Sequence, residues 1–196
     1  MTVVATMSIS LDGYGAGVGQ TEAEPLGDAG DDLHRWMLDT PDENRPEIDA
    51  SVDAGAFIRG RNMFGPVRGE WTRDWRGWWG PDPPYHRPVF VLTHYPHDPI
   101  EMDGGTTFHF ITDGPHAALE LAREAAGERP VHVAGGPSTT NQFLAAGLID
   151  ELRLQVAPLV LGRGERLFDG VGRLELQQLS SRGVSLATHL HYRVLH

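Results

Sequence analysis

The chain has no cysteine. Disulfides and thiolate chemistry are thereby excluded, and so is a zinc site that needs cysteine ligands. A cysteine-free chain fits a cytoplasmic protein. No apolar run reaches the roughly 18 residues that a transmembrane helix requires. Positive charge is scarce: 16 basic residues against 27 acidic ones give a net charge of −11. The basic residues are arginines and lie scattered, so neither a nucleic-acid footprint nor a membrane-binding surface is expected. Repeats and low-complexity segments are missing, as are the HExxH, GxSxG, Walker A and kinase signatures.

What remains is a globular composition. The 196 residues are 40% hydrophobic, which is enough for one real core and predicts a single domain over residues 1–196. The N-terminal MTVVATMSISLDGYG has no basic n-region and no cleavage signature, so it reads as the start of the fold. The segment from Val3 to Leu11 is expected to be the first strand, broken by Asp12-Gly13-Tyr14-Gly15-Ala16-Gly17. Leu33, Trp36 and Met37 recur at helical spacing behind Asp31-Asp32 and predict a helix over 31–38. Polar, proline-containing 39–47 reads as a loop, and Ile48 to Ala54 as one or two helical turns. Ala56-Phe57-Ile58 leads to Gly60 as a short buried strand.

Residues 65–88 carry four of the five tryptophans among many Gly and Pro, and predict a long ordered loop, since linkers rarely hold so much aromatic surface. Further strands are predicted at 89–93, 106–112, 131–134 and 152–161, with helices at 114–126 and 138–146. The segments 174–179 and 185–195 read as a closing antiparallel pair. Strands that alternate with helices and then follow one another directly predict a three-layer α/β fold, its mixed and mostly parallel sheet ending in antiparallel strands.

Three short stretches suggest a site. Gly135-Gly136 follows a strand and precedes Pro137, Ser138 and Thr139 at a helix start. Without a Cβ, a pyrophosphate can approach backbone amides at the positive end of a helix, and proline in the first turn costs no hydrogen bond. A tight strand–helix turn explains the same glycines. Arg61 follows Gly60 at a strand end, where a guanidinium can grip a 2′-phosphate or simply face solvent. Leu92-Thr93-His94 ends another strand. His86, His94, His97 and His109 match no metal-binding spacing, so no metal is expected.

Taken in order, MSISLDGYGA, GRNMF, VFVLTH, HVAGGPSTTNQFLAAGLIDELRLQVAPLVLG and RLF resemble the dihydrofolate-reductase-like superfamily. The similarity is to the branch containing the C-terminal reductase domain of the bifunctional riboflavin-biosynthesis deaminase/reductase, here stand-alone. It spans nearly the whole chain, with 65–88 least matched. The resemblance implies an NADPH-dependent oxidoreductase acting on a small cyclic or carbonyl/imine substrate, as 5-amino-6-(5-phosphoribosylamino)uracil reductase or dihydrofolate reductase does. A non-catalytic nucleotide-binding protein on the same scaffold is the alternative.

The resemblance also implies site residues. Gly60, Arg61 and Asn62 would lie at the cofactor, with Arg61 near the 2′-phosphate. Leu92 and Thr93 would flank adenosine, and Thr112 with Asp113 the adenine. Gly135, Gly136, Pro137, Ser138 and Thr139 would hold the pyrophosphate. Asp12, Gly13 and the residues to Ala16 would line the nicotinamide end, with Asp12 there a second catalytic candidate beside Asp32. Asp32, in an Asp-Leu pair, stands where the family keeps its proton-handling acid; plain helix N-terminal charge complementarity explains it equally. Arg153, Arg163 and Arg166 are candidates for a substrate phosphate. Trp71, Trp75, Trp78 and Trp79 could stack on a planar substrate, close an interface or pin their loop. A homodimer through the strand pair near 174–195 is expected.

Overall fold

The strand β1 (Val3–Ser10) alternates between two faces, and the rest of the fold is built around that alternation. In the computed structural model, which describes residues 1–66 and 68–196, the elements follow in this order. After β1 come β2 (Tyr14–Ala16), a 3-10 turn at Gly30–His34, α1 (Arg35–Leu38), α2 (Arg45–Val52), β3 (Ala56–Gly60) and α3 (Arg61–Phe64). Next are β4 (Pro88–Leu92), β5 (Ile100–Glu101), a 3-10 turn at Asp103–Gly105, β6 (Thr107–Ile111), α4 (Gly114–Ala126), β7 (Val131–Val133) and α5 (Pro137–Ala145). The chain closes with β8 (Glu151–Ala157), β9 (Glu165–Arg166), β10 (Glu175–Gly183) and β11 (Thr188–Leu195).

Among the described residues, nine strands form one sheet in the order β10-β11-β8-β1-β7-β3-β4-β6-β5. The six central strands, β8 to β6, run parallel; β11 and β10 on one side and β5 on the other are antiparallel. The three-layer, mixed-sheet expectation therefore holds. The small antiparallel ribbon of β2 with β9 stands where the sequence predicts a break in regular structure at residues 12–17. The long strand expected at 152–161 ends at Ala157, and the helix before β3 starts at Arg45 instead of Ile48.

Odd positions of β1 (Val3, Ala5, Met7, Ile9) enter the larger core with Ile58, Val131, Val133 and Leu154. Helix α4 covers this face because Ala118, Ala122 and Ala126 recur every four residues, with Leu119 beside them three before Ala122, and all are buried. Burying a residue such as Leu119 is worth about 1.5–3 kcal/mol. Helix α5 adds Phe143 and Leu144 to the same core.

The opposite face has two covers. Over β1, β8 and β11 lies the segment 30–52, where the Trp36 indole N–H donates to Ser8 Oγ (3.0 Å) and its ring meets His189 edge-on. Over β3, β4 and β6 lies the Trp-rich stretch, which among the described residues has no helix or strand between Gly65 and Arg87; Val67 lies outside those residues. Its ring packing is specific. Phe57, Phe64, Val89, Val91 and Phe108 form the second core, and Trp71, Trp75 and Trp79 pack on it.

Three guanidinium–indole stacks pin the stretch down. Arg59 lies 4.7 Å from the Trp79 ring centre and 4.3 Å from that of Tyr85, Arg61 lies 3.6 Å from Trp71, and Arg73 lies 4.9 Å from Trp75. Two indole N–H groups then close on backbone, Trp71 to Tyr95 O (3.1 Å) and Trp75 to Phe64 O (2.9 Å). Burial pushes the Tyr85 phenol up to about 12 and lowers the Arg59 guanidinium.

Candidate functional site

A parallel sheet delivers its loops to one edge, at the carboxyl ends of its strands. Here the ends of β7, β3, β4 and β6 stand side by side. They open onto a cleft of about 250 Å³. Of the residues singled out from sequence, Gly60, Arg61, Asn62, Leu92, Thr93, Thr112, Gly136, Ser138 and Thr139 line it. These residues are up to 79 positions apart in sequence (60 to 139) and converge only because β7, β3, β4 and β6 are neighbours.

The backbone knits the cleft floor. Gly60 N–H donates to Gly135 O (2.9 Å), Ala134 N–H to Ile58 O (2.9 Å), and Thr93 N–H to Ile111 O (3.0 Å). The two adjacent glycines have different tasks. Gly135, joined to Gly136 by a cis peptide bond, has φ +90°, a region that L side chains rarely adopt. A Cβ there would also sit 2.9 Å from Met7 Sδ. Gly136 has ordinary φ (−70°), and a Cβ on it would meet only Met63 Cγ at 3.9 Å. Gly135 serves the turn, whereas Gly136 leaves open space in front of the α5 amides. Gly60 is a second position where the fold requires glycine, since a Cβ on it would collide with the Thr139 hydroxyl.

Arg61 is the unusual member. Only 8% of it is exposed, yet it has no carboxylate partner among the described residues. Its Nη1 donates to Thr93 Oγ1 (3.1 Å) and its guanidinium stacks on Trp71. Its Nε and Nη2 are buried with no hydrogen-bond partner among the described residues. Burial lowers its affinity for the proton, as expected for a cation without a counter-ion. His94, from the stretch Leu92-Thr93-His94, lines it too, and so do Arg68, Tyr95, Gln142 and Glu165, which the sequence did not single out. Only Tyr95 left a sequence trace, two residues beyond Thr93.

The residues expected at the nicotinamide end sit beside the cleft. Gly13 N–H donates to Ser10 O (2.9 Å), and its carbonyl accepts from Leu167 N–H (2.9 Å). Ala16 is buried in the ribbon opposite Glu165. Gly15 between them abuts α5: a Cβ there would lie 2.7 Å from Pro137 Cγ. Pro137 lines an adjoining groove with Asn141 and Arg166.

The two carboxylates are placed differently from the expectation. Asp12 accepts from the Ser10 hydroxyl (2.6 Å), from Leu161 N–H (3.1 Å) and from Gly162 N–H (2.8 Å). The Ser10 hydroxyl above all, with those amides, holds its carboxyl below the ordinary value. This is the setting of a structural clamp and the reverse of what a proton donor needs. Asp32 lies exposed on the 3-10 turn, which turns Leu33 inward to full burial. Asp32 is not among the residues that line the cleft.

Other candidates are dispersed. Arg163 pairs with Asp28 (2.9 Å), Arg166 stands 5.5 Å over the Tyr14 ring, and Arg153 lies opposite His191 in the β8–β11 ladder. His86 Nδ1 bonds Gly104 O, His97 packs on Trp71, and His109 stacks on Phe90. Asp113 is exposed at the start of α4.

Comparison with known proteins adds a family. A model of the RibD C-terminal domain matches residues 1–190. The chain belongs to the RibD C-terminal domain family. A curated relative, the uncharacterized protein YyaP of Bacillus subtilis (strain 168), is 24% identical over 189 residues, covering 93% of this chain and 89% of YyaP. Among solved structures, a protein of Shewanella sp. PV-4 named for riboflavin biosynthesis is similar with TM-score 0.66 and 24% identity over the full length of both chains. Dihydrofolate reductase from Enterococcus faecalis, complexed with NADP(H), is similar with TM-score 0.56 and 16% identity over 98% of this chain and 96% of that one. The RibD C-terminal domain and dihydrofolate reductase thus share this fold. No helix among the described residues is long and apolar enough to cross a membrane.

Proposed function

We propose that the protein is an NADPH-dependent oxidoreductase that delivers hydride to a small cyclic compound or to a carbonyl or imine group. Arg61 carries the reading: a buried cation at the cleft whose Nε and Nη2 lack acceptors among the described residues. Such donors are costly to leave unmade, and a phosphate monoester supplies the missing anion. The open space before Gly136 at the N-terminus of α5 suits a pyrophosphate in the same way. Membership of the RibD C-terminal domain family and the fold shared with an NADP(H)-bound reductase support the same cofactor.

In this reading Arg61 and Thr93 hold the 2′-phosphate and Leu92 packs along the adenosine, with Thr112 beside the adenine. Gly136, Ser138 and Thr139 present amides and hydroxyls to the pyrophosphate. The ribbon at 14–16, fixed by the Asp12 clamp, borders the nicotinamide end. The bound cofactor supplies the hydride. The chain's contribution is to hold reactants in register and exclude water. The proton goes to the acceptor from water, since Asp12 is engaged and Asp32 is exposed.

The proposal takes residues 1–196 as one such domain in a cytoplasmic homodimer. β10, exposed along its full length at the sheet edge with Leu176 and Leu179 uncovered, is the pairing strand. The test is nicotinamide absorbance after mixing the protein, NADPH and a panel of pteridine-like, pyrimidine-like and carbonyl acceptors. Acceptor-dependent loss of NADPH is the expected result. One observation, the lack of a buried acid at Asp12 and Asp32, favours a second reading: a nucleotide-binding protein without chemistry. NADPH binding with no oxidation by any acceptor would favour it.

A further inference from the structure

We propose that Trp71 is a positioning residue for phosphate recognition, acting through Arg61; the inference rests on the cofactor reading above. Trp71 comes from the irregular stretch after α3, yet one hydrogen bond and three neighbouring rings hold it. Its indole N–H donates to Tyr95 O (3.1 Å). Its ring meets Phe64, Phe110 and His97 edge-on at centroid distances of 6.0, 5.0 and 4.6 Å. What it offers is a face, and on that face lies the Arg61 guanidinium at 3.6 Å. The cation therefore rests on an aromatic wall that its neighbours hold in place.

The stack settles the plane of the guanidinium, since a flat cation on an indole resists tilting. It does not fix rotation within that plane. One in-plane hydrogen bond, Nη1 to Thr93 Oγ1, does so at present. Nε and Nη2 are shielded from water and unpartnered among the described residues. A phosphate reaches them when the fork turns in its plane, giving up Thr93 while keeping Trp71. Trp71 thus works as a flat bearing on which the two-pronged donor edge turns from its buried position towards a phosphate. Without it, a flexible arginine side chain must be ordered at each binding event, which costs affinity for the phosphate and little for the rest of the nucleotide.

The test compares adenosine 2′,5′-bisphosphate with 5′-AMP by calorimetric titration of the wild type, Trp71→Leu, Trp71→Phe and Arg61→Ala, with melting curves for each. The wild type and Trp71→Phe are expected to prefer the 2′-phosphate. Trp71→Leu is expected to lose about tenfold of that preference, as a stacked cation in a desolvated site is worth about that factor. A Trp71→Leu protein that keeps the preference, or binds both nucleotides equally less well, overturns the inference while the cofactor reading stands. A wild type without preference, or an Arg61→Ala protein that retains it, overturns the cofactor reading and the inference together. If Trp71→Leu does not fold, the emission lost in Trp71→Phe serves instead. That component should respond to adenosine 2′,5′-bisphosphate and not to 5′-AMP, and an equal response to both contradicts the proposal.

Discussion

The amide of Gly60 donates to the carbonyl of Gly135 over 2.9 Å, joining the ends of β3 and β7. The contact draws Gly60 against Thr139, whose hydroxyl occupies the place where a Cβ would go. Gly60→Ala is accordingly expected to cost about 1–3 kcal/mol in denaturant unfolding, the usual range for overpacking. Gly136→Ala should behave differently, because its Cβ has open space and ordinary φ. It should melt at or slightly above the wild-type temperature and bind NADPH less tightly. Equal destabilisation by both substitutions would refute this division of labour.

Asp12 ties the segment around Leu161 and Gly162 to the end of β1. Asp12→Ala should lower the melting temperature and raise amide exchange at 159–163, with Asp12→Asn intermediate because it keeps one acceptor oxygen. The effect on acceptor reduction should follow the loss of folded protein. A well-folded Asp12→Ala protein with normal NADPH binding and no turnover would return Asp12 to the chemistry.

Asp32 is exposed and does not line the cleft. Asp32→Asn should change the rate of acceptor-dependent NADPH oxidation by less than about twofold, the range of a surface charge change. A drop of about a hundredfold or more, the size of general acid catalysis, would contradict the placement.

His132 is buried in β7, with Nδ1–H donating to Ser51 O (2.9 Å) and Nε2 unpartnered among the described residues. Burial, with Arg59 nearby, pushes its pKa from 6.5 down to about 3. Between those values the unfolded chain takes up a proton that the folded protein does not. Stability contributed by the neutral ring is present above pH 6.5 and is lost as pH falls towards 3. By linkage that amounts to about 2 kcal/mol between pH 8 and pH 5. Urea unfolding of the wild type and His132→Leu at the two pH values should show a smaller pH-dependent loss in the variant.

The sequence revealed those parts of the fold that rest on local pattern. Phe57-Ile58 and Val89-Phe90-Val91 are continuous apolar runs because both faces of their strands are covered, and they read as buried strands at once. Gly135-Gly136-Pro137 is a strand–helix junction legible from residue chemistry alone. Tyr14–Ala16 and Glu165–Arg166 were illegible as a ribbon, since two or three residues are too few to show a period. The stack of Arg61 on Trp71 was hidden for another reason: the stretch between them has no periodicity, so nothing indicated which indole would turn inward. Asp32 misled because Asp-Leu fits a helix start, whereas the tighter 3-10 turn buries Leu33 and leaves the acid outside.

The central claim, a phosphate-reading cleft built around Arg61, is tested most directly by titrating the protein with NADPH and NADH while following tryptophan fluorescence, with Arg61→Ala alongside. The account predicts that NADPH binds more tightly than NADH and that the variant loses most of this preference, a change of about 10- to 100-fold for charge-assisted hydrogen bonds of this kind. Equal affinity for the two nucleotides, or binding of neither, would contradict it.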